Sequence, residues 1–304
     1  MKQTFYSNGK LLITGEYTVL DGADAFALPT KYGQYLHVKK EESKSVKWTS
    51  FDADKSIWFE GALSFSDIKE GKTESINPVT QTLVKILHTA NSMNPEILLG
   101  SKGFDITTEL TFPRHWGLGT SSTLINNIAQ WFAIDAFILL KNSFGGSGYD
   151  IACAQNNTPI VYNVSTPTPT VKNISFKPEF TNDIYFVYLN QKQNSRSAIT
   201  AYNEKKSNII ATVNQINNIT QEILNSGNIE QFIKLLDKHT AIMSEVLETP
   251  PVKEELFSDF TGSIKSLGAW GGDFVLAISK NNDTAAYFKQ KGYPVVIPYK
   301  DMIL

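Results

Sequence analysis

A chain of 304 residues with 41% apolar and 12% aromatic content has enough apolar surface to bury a large core, as one large domain or two intimately packed ones. Its formal charge of -2 supplies no global field for nucleic acid or an acidic membrane surface, and its single cysteine, Cys153, excludes an intramolecular disulfide and any multi-cysteine metal site. The N-terminus lacks a signal-peptide core and no apolar run reaches the ~20 residues that cross a bilayer, so a cytoplasmic protein with neither a membrane nor a nucleic-acid partner is expected.

In chain order, Lys2 to Val19 alternates and then turns apolar around Leu11-Leu12-Ile13, which reads as a strand feeding a loop. Asp21-Gly22-Ala23-Asp24 is a turn, and Tyr32 to Lys39 and Val46 to Phe59 read as further strands around the solvated Glu41-Glu42-Ser43-Lys44. Val79 to Ala90 has helical spacing, with Thr82, Leu83, Ile86 and Leu87 near one face. Phe104 to Thr111 alternates again and delivers the chain into Pro113-Arg114-His115-Trp116-Gly117-Leu118-Gly119-Thr120-Ser121-Ser122-Thr123, followed by an apolar run from Leu124 to Leu140 that predicts one helix.

A second glycine-rich turn, Ser143 to Gly148, stops on Tyr149-Asp150, and Pro159 to Val164 reads as a strand. Thr166-Pro167-Thr168-Pro169-Thr170 is extended by composition and predicts the domain boundary, giving domains of residues 1–168 and 169–304. Beyond it come a buried strand, Ile184 to Leu189, helices over Ser195 to Thr220 and Asn228 to Glu248, and a strand pair around Gly268-Ala269-Trp270-Gly271-Gly272-Asp273. A short helix near Thr284 and a strand from Tyr293 finish the chain. Mixed strands and helices without strict βαβ alternation predict an α+β protein of two lobes.

The Gly117 to Ser122 loop is suited to an anion. Glycines let backbone approach a ligand, and a helix start offers unpaired N–H groups at a positive dipole end. The same residues also serve as an ordinary cap, Thr120, Ser121 or Ser122 closing the helix. His37, His88, His115 and His239 lack ligand spacing, so a zinc enzyme is not expected. Of 28 basic residues only Arg114 and Arg196 are arginines, the side chain that grips phosphate or carboxylate in bidentate fashion.

Neither a Walker loop nor a Gly-x-Gly-x-x-Gly fingerprint is present. Three stretches in order, Gly9-Lys10-Leu11-Leu12-Ile13-Thr14-Gly15-Glu16-Tyr17, Gly117 to Ser122 and Gly268 to Asp273, resemble the motifs of the GHMP kinases, with Ser147-Gly148-Tyr149-Asp150 in the expected gap. That superfamily is named for galacto-, homoserine, mevalonate and phosphomevalonate kinases. Gly15-Glu16-Tyr17 and Gly271-Gly272-Asp273 look most like phosphomevalonate kinases and a bacterial subgroup marked by Gly-Tyr-Asp-Ile-Ala.

The resemblance implies a two-lobed fold, a ribosomal-protein-S5 type N-terminal domain and a ferredoxin-like C-terminal domain, with the site in the cleft between them. It implies ATP and magnesium, and a small-molecule acceptor in the mevalonate route to isoprenoid precursors. On its pattern Gly117, Leu118, Gly119, Thr120, Ser121 and Ser122 hold the phosphates, and the Ser121 hydroxyl approaches the β-phosphate and magnesium. Asp150 takes or orients the acceptor's proton, with Lys10 beside it to stabilise the charge that spreads over the transferred group. Glu16, Tyr17, Ser195, Arg196, Gly271 and Gly272 fall on the acceptor side.

Read locally, Lys10 is also a strand-edge lysine, Asp150 a turn or N-cap residue, Ser195 a helix cap and Gly271-Gly272 a hairpin. The chain departs from the family at Ser7-Asn8, where Ala-Pro is usual, and at Trp270, where glycine is usual. The interval from Leu140 to Gly148 is too short for the helix that carries the family's metal-binding glutamate just before the Asp150 position, and Asp135 is the substitute candidate. Phosphomevalonate is the expected acceptor, then mevalonate, with a diphosphomevalonate decarboxylase and a non-catalytic ligand-binding relative as rivals. Monomer and homodimer both stay open.

Overall fold

Alternation in the sequence becomes a half-buried strand at Phe104–Leu110, where Phe104, Ile106, Thr108 and Leu110 are buried and the residues between them are not. In the computed structural model, which describes residues 2–165, 168–193, 195–280 and 283–304, this strand is the fifth of eleven. The strands β1 (Lys2–Thr14), β2 (Ala25–Lys40), β3 (Ser45–Phe51) and β4 (Ile57–Ser64) open the chain, followed by α1 (Phe65–Glu70) and α2 (Pro78–Met93). Then come β5 (Phe104–Leu110), α3 (Thr120–Phe132), α4 (Ala136–Ser143), α5 (Tyr149–Gln155), β6 (Ile160–Asn163), β7 (Thr170–Asn173) and β8 (Ile184–Tyr188). The remainder holds α6 (Ser195–Lys205), α7 (Ile209–Leu224), α8 (Ile229–Leu247), α9 (Val252–Leu256), β9 (Ser263–Leu267), β10 (Phe274–Ile278), α10 (Thr284–Gln290), β11 (Val296–Pro298) and α11 (Tyr299–Met302). The class is α+β, as the sequence predicts.

The chain forms two compact units. The first comprises Met1–Gly9, Tyr32–Arg114 and Leu118–Gln155; the second comprises Lys10–Lys31, His115–Gly117 and Asn156–Leu304. In the first unit the strands run β4-β3-β5-β2, with β3 parallel to β5 and the other pairs antiparallel. Trp48, Ile106, Leu36 and Val38 of this sheet pack with Leu83 and Leu87 of α2, Ile125 and Phe132 of α3 and Ile151 of α5 in one core. Each such fully buried side chain contributes roughly 1.5–3 kcal/mol, more than a helix cap, so the buried face sets the positions of α2, α3 and α5. In α2 the cap is present too: the Asn77 side chain accepts from the N–H groups of Val79 and Thr80, and Pro78 opens the helix.

In the second unit the sheet runs β11-β8-β10-β9, all antiparallel. Phe274 pairs with Leu267 across β10 and β9, so Gly268–Asp273 is the connection of a hairpin. Val187, Val275 and Ala277 pack with Ile264, Phe257, Phe260 and Phe288. A second cluster joins Tyr17 and Ala23 to Tyr202, Ile216 and Met243 of α6, α7 and α8. The first residues of β2 pair with β6, and β6 with β7.

Three predicted elements are divided in the structure. The Leu124 to Leu140 helix is two, because Ala133 turns left-handed at φ 52° and the Asp135 side chain then accepts from the N–H groups of Phe137 and Ile138 to start α4. Asp135 is therefore the N-cap of α4. The Val46 to Phe59 strand is the hairpin β3–β4, turned by Asp52 accepting from Ala53 and Asp54 from Ser56. The Ser195 to Thr220 helix breaks before α7 at Asn208, φ 44°. Residues 166 and 167 of the predicted linker lie outside the described residues.

Candidate active site

In the first unit the site begins at α3. Gly119 takes φ 97° as its N-cap, Leu118 is buried, and no described side chain caps the first turn. The local alternative, a serine or threonine cap, is thus not what forms. The N–H groups at Thr120, Ser121 and Ser122 are left to an outside acceptor, and Ser121 is exposed. Thr123 points inward, its hydroxyl donating to Gln34 Oε1 at 2.7 Å.

Beneath the helix lies a polar ladder that the sequence does not reveal. Ser7 Oγ donates to Asn127 Oδ1 at 2.8 Å and accepts from Asn126 Nδ2 at 2.8 Å. Asn127 Nδ2 donates to Gln34 O at 2.9 Å, and Gln155 Nε2 to Asn126 Oδ1 at 3.0 Å. Ser7, where the family has alanine, fits here because its buried hydroxyl has both a donor and an acceptor to meet. The ladder joins α3 to β1, β2 and α5, and so orients the uncapped helix start relative to Asp150, half-buried in the first turn of α5. Cys153 is fully buried in the same helix, as a small apolar residue. Arg114 is shared with Asp52, at 4.0 Å from Nε, and lies 5.4 Å over the Trp58 ring.

In the second unit the start of the glycine loop is docked on the sheet. Trp116 meets Phe274 edge-on at 5.4 Å, and Tyr188 OH donates to His115 O at 3.4 Å. Gly117, at φ 69°, is required twice over: a Cβ there would sit 2.2 Å from Asp273 Oδ2. Asp273 is buried, its Oδ1 accepts from Gln193 N at 3.4 Å, and burial pushes its carboxyl up against the pull of Lys10, the Gln193 N–H and Lys192. The Gln193 side chain covers Gly272, where a Cβ would lie 2.0 Å from Cγ, and Gln191 Nε2 donates to Gly271 O.

The first and third motifs meet inside this unit. Tyr17 OH accepts from Trp270 N at 2.8 Å and its ring stacks on Tyr202 at 5.4 Å, so Tyr17 is a packing residue. The Trp270 indole donates to Pro250 O at 3.0 Å. Glu16 is buried with Lys265, which donates to its Oε1, and with His239, whose Nε2 lies 3.3 Å from Oε2. Burial pushes the Glu16 carboxyl up against the charges of Lys265 and Lys10, and pushes the Lys265 ammonium and the His239 imidazole down. Lys265 and His239 were not among the sequence candidates.

Lys10 lies in the second unit and Asp150 in the first. Ser195 and Arg196 begin α6, and their side chains lie outside the described residues. Among the described residues no group of three His, Cys, Asp or Glu is placed to hold a metal ion, and no helix is long and apolar enough to cross a membrane. No carboxylate stands in the first turn of α3. The exposed Ser121 hydroxyl is the side chain that this helix start offers a ligand.

The fold that positions these groups is the GHMP-kinase fold. The structure aligns with mevalonate kinase of Methanococcus jannaschii at a TM-score of 0.72 and 16% identity, covering 98% of this chain and 97% of the other. It aligns with Streptococcus pneumoniae phosphomevalonate kinase, solved in complex with phosphomevalonate and AMPPNP, at 0.71 and 15% identity, covering 95% of each. In sequence the chain is 25% identical over 232 residues to a galactokinase of Ligilactobacillus salivarius, 70% of this chain and 56% of that protein. The chain thus spans just over half the length of that curated relative. No protein-family model matches.

Proposed function

We propose that the protein is an ATP-dependent small-molecule kinase that transfers a phosphoryl group to a small anionic acceptor, with phosphomevalonate as the leading acceptor and mevalonate next. The observation that carries the reading is the uncapped start of α3, opened by two left-handed glycines and faced by an exposed Ser121. A helix start of this kind binds phosphate without a dedicated side chain. Bound ATP with magnesium supplies the electrophilic phosphorus. The chain's own residues do the rest. The N–H groups of Gly119 to Ser122 would hold the phosphates, and the Ser121 hydroxyl would be the protein's contribution to the cation. Asp150 accepts the acceptor's proton, and Lys10 stabilises the charge on the transferred group.

A second reading, a sugar or sugar-phosphate acceptor, is supported by the galactokinase likeness in sequence. ADP release measured over 5-phosphomevalonate, mevalonate, galactose, a heptose 1-phosphate and homoserine tests both. Turnover with 5-phosphomevalonate or mevalonate alone supports the first, and turnover with galactose or the heptose 1-phosphate alone replaces it. Release of carbon dioxide would mark a decarboxylase, and no ADP with any acceptor would sink the kinase reading.

A further inference from the structure

The buried trio of Glu16, Lys265 and His239 has a hydrogen-bond inventory that assigns the accepting nitrogen of the imidazole. Gly15 N donates to His239 Nε2 at 3.2 Å, so Nε2 is the lone-pair nitrogen and Nδ1 carries the hydrogen. Glu16 Oε2, at 3.3 Å from that Nε2, and His239 Nδ1 have no hydrogen-bond partner among the described residues. Lys265 Nζ donates to Glu16 Oε1 and, at 3.1 Å, to Ser266 O. Two arrangements of protons leave the trio with no net charge. Either Lys265 is the ammonium and Glu16 the carboxylate, or the proton has moved to the Glu16 carboxyl and Lys265 is the neutral amine. In both, the imidazole is neutral and accepts from Gly15. A further proton buries a net positive charge and places an Nε2–H against the Gly15 N–H, donor against donor.

The groups around the imidazole offer no relief. Lys265 of β9 faces it as a cation, and Lys10 of β1 acts on Glu16. Asp237 and Lys238, beside it on α8, are exposed, and Asp237 accepts from Ser263. Of the helices packed on α8, α7 carries Thr220, whose hydroxyl is bonded to Thr14 at 2.7 Å, and α6 carries the buried Tyr202, which packs with Met243.

We propose that His239 and Lys265 are positioning residues, which with Glu16 clamp the Gly15-Glu16-Tyr17 turn through a neutral imidazole acceptor, so that protonating His239 releases the turn. The clamp ties the first motif to the strand that leads into the third, since Lys265 is in β9 and Gly268 follows its end. Its catalytic meaning rests on the kinase reading; its chemistry does not.

The test follows isotope-labelled histidine by NMR in the whole protein from about pH 5 to about pH 9, with His239→Gln identifying the His239 signals. The expected result is a neutral imidazole with the hydrogen on Nδ1 and an Nε2 that does not titrate near the ordinary value. Titration near about 6.5, or a hydrogen on Nε2 at neutral pH, overturns the proposal whether or not the protein is a kinase. In turnover assays, glutamine at this position can accept from Gly15 through its amide oxygen without titrating. His239→Gln is therefore expected to keep kcat/KM for the acceptor within about threefold and to extend its acid limb to lower pH, whereas His239→Leu loses about tenfold. Equal loss in both variants, with fold confirmed by circular dichroism, refutes the positioning role. Absence of turnover in the parent protein refutes the kinase reading alone, and the NMR result still decides the clamp.

Discussion

Replacing Gly117 with alanine tests the packing of this glycine against Asp273. The new methyl would stand 2.2 Å from Asp273 Oδ2, 2.3 Å from Cγ and 2.8 Å from Oδ1, well inside contact distance. Asp273 cannot retreat along its backbone: its N donates to Gln191 O at 2.9 Å, its O accepts from Leu189 N at 2.8 Å, and it already sits at φ 52°. Its side chain must rotate away and give up the Gln193 N–H. Alanine at φ 69° adds about 1–2 kcal/mol of backbone strain, and the overpacking about 1–3 kcal/mol more. A loss near 3 kcal/mol, with an unfolding entropy of about 0.6 kcal/mol per kelvin for a chain of 304 residues, lowers Tm by about 5 °C if the chain melts as one unit. Calorimetry of Gly117→Ala, Asp273→Ala and the double variant closes the cycle. Gly117→Ala should cost only its backbone strain of about 1 kcal/mol where the carboxyl is gone. An equal cost in both backgrounds would refute the contact.

Asp150→Asn is expected to leave the KM for ATP almost unchanged while kcat falls about 10²–10⁴-fold; near-parental turnover removes Asp150 from the chemistry. Arg196→Ala should raise the acceptor's KM about tenfold and that of ATP little. Equal effects on the two would take Arg196 out of acceptor binding. Stability against pH carries the sign of His239: its imidazole is pushed well below its ordinary 6.5 by burial, so below that value the unfolded chain takes up a proton that the folded one refuses. Stability then falls as pH drops through about 6.5, by at most about 1.4 kcal/mol per pH unit, and His239→Gln should flatten that limb in urea titrations. Glu16, raised by burial above 4.5, has the opposite slope between 4.5 and its folded value.

The motif glycines were legible because each does something no other residue does. Gly117 and Gly119 both adopt left-handed backbone, and the Gly271-Gly272 hairpin was placed between the right strands. The break at Ala133 was not legible, since alanine is the best helix former and only the φ of the folded chain shows it turning. Asp135 did carry a signal, an N-cap residue in the middle of an apolar run, masked by the hydrophobicity on both sides. Lys265 lies in a strand whose five residues are all buried. A lone lysine in an apolar run has no local explanation, and its partner Glu16 is 249 residues away. The Ser7 ladder is hidden for the same reason: serine, asparagine and glutamine look like surface residues until their partners are known.

Because residues 10–31 belong with residues 156–304, no single proteolytic nick or truncation yields the second unit intact. A fragment beginning at Asn156 would lack Thr14, Glu16 and Tyr17, leaving Lys265 as a buried ammonium with no counter-ion and Thr220 without its hydroxyl partner. During synthesis, the ribosome releases the strand carrying Lys10 long before β9 exists to receive it. The first motif must therefore wait, unpaired with its ion partner, until almost the entire polypeptide has emerged, and this protein's slowest assembly step is expected at that late closure.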